Sequence, residues 1–151
     1  QALVNIAWSF AQLLELNGPL LDSISSAALR SISELSSQGL AGMSWAIATL
    51  QYCNPPLLKA ISSAAITSMQ DFRPQGLANT AWAFAALSWP DEPLMEAISA
   101  SASSTIKEFK VEDITGTAWS FARLGFADWP LFESIAAESL SHLTQFKAPG
   151  L

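Results

Sequence analysis

Arg73, Lys110 and Lys147 stand 37 residues apart, and so do Trp8, Trp45, Trp82 and Trp119. A cation that recurs once per interval can follow a phosphate backbone, because each neutralised phosphate releases counterions. A recurring indole can stack on bases or on another planar ligand. Each row also has a plainer reading. Asp71 and Glu108 precede Arg73 and Lys110 by two residues, so the cations pair with them or are simply solvated. Acids accompany the bases in most intervals, which favours that reading. The four tryptophans sit on apolar segments, which favours a core packed between neighbouring units over a stacking platform. Trp89 and Trp129 each occur once, close to turns, and are candidate anchors for a partner. Packing over the adjacent turn is the competing reading for both.

The elements that position these residues follow from the same interval, which governs the whole chain. Leu3, Leu40, Leu77 and Ile114 keep it, as do Pro19, Pro56, Pro93 and Pro130, and Ile24, Ile61, Ile98 and Ile135. The units run 1–37, 38–74, 75–111 and 112–148, and 149–151 open a fifth. A period in the thirties is the signature of stacked supersecondary units. Within the third unit, Gln75 to Leu87 reads as a first helix, rich in alanine and leucine. Pro93 to Phe109 reads as a second, with Leu94, Ile98, Ala102, Ile106 and Phe109 on one stripe. Asn17, Asn54, Asp91 and Asp128 lie two residues before the repeated proline. They are N-caps, each contributing about 1 kcal/mol. The expected fold is all-α: an α-solenoid, or superhelix, of four tandem 37-residue helix–turn–helix repeats.

The first helix is apolar around most of its circumference, as expected of a helix buried between neighbours. The remaining arc is polar or small and changes from unit to unit. It holds Gln1, Gln38, Gln75 and Glu112 at unit position 1, and Asn5, Gly42, Asn79 and Gly116 at position 5. It also holds Ser9, Ala46, Ala83 and Ser120 at position 9, and Gln12, Thr49, Ala86 and Arg123 at position 12. These residues are the candidate lining that would face a partner or RNA.

Composition narrows the function. Half of the residues are hydrophobic and only 13% are charged, against roughly 25% in soluble domains, so some apolar surface is expected to meet further repeats or a partner. The formal charge of −6 opposes non-specific nucleic-acid binding. One cysteine, Cys53, excludes an internal disulfide and a multi-cysteine metal site. No apolar run reaches the roughly 18 residues of a membrane span. Any targeting segment is expected to be removed or to lie outside this stretch. His142 has no zinc-ligand constellation around it, and Asp91-Glu92 and Glu112-Asp113 sit at helix starts, where the dipole favours acids. No phosphate loop, dinucleotide fingerprint or nucleophile elbow is present. The expectation is a non-enzyme with no cofactor, no catalytic residue and no metal site.

The run Phe72-Arg-Pro-Gln-Gly-Leu-Ala-Asn-Thr-Ala-Trp-Ala-Phe-Ala85 resembles the octotricopeptide repeat, a helical-hairpin repeat of this length. Asn5 to Ala11 and Gly116 to Ala122 match it again, and the resemblance covers the chain four times over. It implies an organellar protein, of chloroplast or mitochondrion, in a family associated with organellar RNA metabolism. It also implies that positions 5, 9 and 12 read single-stranded RNA. Two functions are therefore expected. The first is a scaffold or docking module packing against proteins of a larger assembly, photosynthetic, respiratory or ribosomal, with further repeats of its own chain beyond this stretch. The second is a fragment of a sequence-specific RNA-binding array. The acidic balance favours the first.

Overall fold

The computed structural model describes residues 1–13 and 17–145. Among them are eight α-helices and no strand. They are α1 (Ala2–Leu13), α2 (Gly18–Arg30), α3 (Ser37–Thr49), α4 (Pro55–Thr67), α5 (Pro74–Ala86), α6 (Glu92–Thr105), α7 (Val111–Leu124) and α8 (Trp129–Gln145). Odd-numbered helices pack on one another in chain order, α1 on α3, α3 on α5 and α5 on α7. Even-numbered helices do the same, and each also packs on the odd helix before it. The result is two rows of helices with one continuous apolar core between them.

Every even helix starts with the same device. The side chains of Asn17, Asn54, Asp91 and Asp128 accept bonds from the backbone N–H of Leu20, Leu57, Leu94 and Leu131, at 3.0–3.1 Å. Asp128 also accepts a 2.5 Å bond from the Ser99 hydroxyl of α6, tying one even helix to the next. The odd helices start in three different ways. Ser36 Oγ accepts from Gly39 N at 3.1 Å, α5 begins on Pro74, and Asp113 accepts from the backbone N–H of Lys110 at 3.0 Å.

Two features were not foreseen from the sequence. Helices α2, α4 and α6 do not run on as far as the apolar stripe predicts; each gives way to a 3-10 turn, at Ile32–Glu34, Met69–Asp71 and Ile106–Glu108. The residue before each turn is Ser31, Ser68 or Thr105, whose hydroxyl bonds a carbonyl four residues back and competes with helix continuation. His142 occupies that place in α8, which continues past it to Gln145.

The second feature closes the odd helices. Gln51, Ser88 and Gly125 have φ of 53°, 52° and 76°, a left-handed cap. The next residue, Tyr52, Trp89 or Phe126, donates its N–H to the carbonyl of Ile47, Phe84 or Phe121 at 2.8–2.9 Å. Its ring folds back onto the core, and for Phe126 and Phe121 the rings meet edge-on at 6.4 Å. Trp89 is thus a helix-end residue packed on the core, the packing reading and not the partner anchor. Trp129, at the first residue of α8, is 71% exposed.

Candidate functional site

The odd row is built from small residues at its contacts. Ala7, Ser44 and Ala81 are fully buried, as are Ala46, Ala83 and Ser120. A β-carbon on Gly42 would stand 3.0 Å from Val4 Cγ1, so α3 approaches α1 as closely as glycine allows. This corrects the expected lining at position 9. Ala83 and Ser120 lie between helices, and only Ser9, in the first helix, is exposed. Small side chains there permit close helix packing and are consumed by it.

The same closeness relocates the tryptophans. Helices in contact lie about 8–10 Å apart, the low end requiring small side chains, so an indole cannot enter the seam. Trp8 and Trp119 are 49% and 43% exposed, and Trp45 and Trp82 are partly buried. Trp45 packs against the core from its margin, and none of the four is fully buried, so they do not form the buried inter-unit core expected of them. The Trp8 and Trp45 rings meet at 6.5 Å, tilted by 35°, and the Arg123 guanidinium sits 5.8 Å from the Trp119 centroid. The core places belong to Ile47, Phe84 and Phe121, each 2% exposed or less.

What the packing leaves open is a groove of about 680 Å³ across the N-terminal halves of α1, α3 and α5. Its floor is short-chained, with Val4, Ala41, Gly42 and Gly76. Its walls carry Gln1, Asn5, Gln38, Gln75 and Asn79, together with Trp8, Asp71 and Arg73. Ser37 Oγ donates to the Asp71 carbonyl at 3.0 Å, bridging one wall to the next unit. Gln1 Nε2 donates to Asn5 Oδ1 at 3.1 Å. The amides of Gln38, Gln75 and Asn79 make no hydrogen bond among the described residues. The groove therefore offers unspent donors and acceptors with one acid and one base.

Of the residues singled out in the sequence, Asn5, Gly42, Asn79, Arg73 and Trp8 meet in this groove. Gln12, Thr49, Gly116, Arg123 and Trp129 do not line it. Gln12 and Arg123 are exposed, while the Thr49 hydroxyl bonds the Trp45 carbonyl at 2.8 Å. Arg73 and Lys110 are exposed at the starts of α5 and α7. The one contact within ion-pair distance among the described residues joins His142 and Glu138 at 3.6 Å, so Arg73 and Lys110 are not paired with Asp71 and Glu108. Lys147 lies outside the described residues. Position 1 of the polar arc also reaches the site, through Gln1, Gln38 and Gln75. Among the described residues no cluster of histidine, cysteine and acids has the makings of a metal site. No helix there is long and apolar enough to cross a membrane. No protein-family model matches the chain, and no curated protein matches its sequence.

Proposed function

We propose that the chain is a section of α-solenoid, four tandem helical hairpins long, that works as a non-catalytic docking module for an extended polypeptide segment of a larger assembly. The amide-lined groove over α1, α3 and α5 is the observation that carries this reading. A carboxamide both donates and accepts, which is what a peptide backbone needs and a phosphate chain does not. Neighbouring helices lie about 8–10 Å apart and an extended chain advances about 3.3 Å per residue, so the amides of successive helices meet about every third residue. The 37-residue sequence period and the row-on-row packing support the solenoid. Placement in an organelle rests on the resemblance to octotricopeptide repeats.

Single-stranded RNA is the second reading, favoured by the unpaired, exposed Arg73 and Lys110 at helix starts. Against it stand the net charge of −6 and the burial of Ala83 and Ser120, two of its reading residues. The test is a photo-crosslinking residue at Gln75, in the groove, compared with one at the exposed Ser63 of α4. The docking reading predicts protease-sensitive, nuclease-resistant adducts from Gln75 and none from Ser63 in extract of the source cells. Nuclease-sensitive adducts at Gln75 would make the groove an RNA site.

A further inference from the structure

We infer that the seam between the first two units holds a binding site for a small, neutral, single-ring aromatic molecule. A cavity of about 390 Å³ opens there, beside the 3-10 turn Ile32–Glu34 and the helix it packs on, α4. Its apolar lining is Ile32, Leu35, Leu40, Ala60 and Ala64; serines and a threonine complete it, and no charged side chain does. The neighbouring units show what is missing. In the next two units the counterparts of Leu35 are Phe72 and Phe109, and that of Ile32 in the second is Met69. Phe72 and Met69 are 6% exposed and Phe109 2%, whereas Ile32 and Leu35 stay partly exposed. The later seams each bury a phenyl ring, and the first is one ring short.

The frame that carries the ring in the second unit recurs in the first. Gly76 lies beneath Phe72, where an added β-carbon would stand 3.3 Å from the ring, and Gly39 lies beneath Leu35 in the same way, 3.7 Å from Cδ2. Leu40 and its counterpart Leu77 are both buried behind. An underfilled apolar seam loses dispersion contacts along its lining, and a ligand of the missing shape restores them. The volume lies within the roughly 300–1,000 Å³ of small-molecule sites. A lining without charge selects a neutral ligand, since nothing there offsets the desolvation of an ion. Both units that form the seam are described, so the cavity does not depend on where the helix rows end. It shares no residue with the groove over α1, α3 and α5, and the inference stands apart from the docking reading.

Fluorine NMR of para-fluorophenol, titrated with the whole chain at neutral pH, tests this. Saturable broadening of its line is expected with the wild-type chain, and none for para-fluorobenzoate, which is charged. Leu35→Phe supplies the ring from within. It is expected to weaken binding about tenfold or more and to raise the thermal midpoint by about 2–4 °C. Ala64→Leu fills the cavity from α4 and is expected to weaken binding likewise, which keeps the test open should Leu35→Phe fail to fold by far-UV circular dichroism. Asn79→Ala, in the groove, is expected to bind as the wild type does. Absence of saturable binding by the wild-type chain overturns the inference. So does unchanged affinity in a folded, filled variant, because the ring would then sit elsewhere. A small molecule in this seam gives no protein adduct at Ser63, so the crosslinking comparison with Gln75 is read independently.

Discussion

The two halves of helix α5 carry similar small and polar residues and face opposite fates. Its first half sends Gln75 and Asn79 into the groove, and its second half buries Ala83, Phe84 and Ala85 completely. The same split runs along α3, where Gln38 and Gly42 line the groove while Ala46, Ile47 and Ala48 are buried. The difference teaches that a small side chain on a solenoid helix is not in itself a sign of an open surface. Where helices approach to the limit that glycine and alanine set, the seam shuts. Where amides stand at its edge, a groove remains.

The sharpest way to break this comparison is to remove a residue from the closed half. Phe84→Ala should cost about 3–5 kcal/mol, read as a lower urea midpoint by circular dichroism, since the ring is fully buried. Trp82→Ala should cost less, about 2 kcal/mol, because its ring is only partly buried. A Trp82 loss equal to that of Phe84 would return the tryptophans to the core. Ser88→Gly should raise stability by about 1 kcal/mol, relieving the left-handed φ of 52° at a place where the fourth unit already has Gly125. Asn79→Ala, in the open half, should change stability by no more than about 0.5 kcal/mol, since its amide bonds nothing in the protein. A larger loss there would mean the groove wall is structural.

Much of the fold was legible in the sequence because its signals are local. The Asn or Asp caps act on backbone groups three residues away, and the proline beside them needs no distant partner. The left-handed caps were missed because Gln51 and Ser88 are not the glycine that announces such a cap, and only Gly125 is. The helix stops at Ser31, Ser68 and Thr105 were missed because an apolar stripe continues through them. Only part of the candidate lining was legible. Asn5, Gly42 and Asn79 do reach the groove, whereas Ala83 and Ser120 do not. The phase of one helix against its neighbour decides between those outcomes. A repeat period repeats that phase without revealing it.

The most direct test of which half is open is thiol accessibility. Cys53, the chain's one cysteine and an exposed one, is first replaced by serine. Asn79→Cys and Ala83→Cys are then labelled with a bulky maleimide under native conditions. The account predicts fast labelling at residue 79 and labelling at residue 83 slower by orders of magnitude, limited by local opening. Equal rates at both would contradict it, since the seam between α3, α5 and α7 would then be open along its whole length.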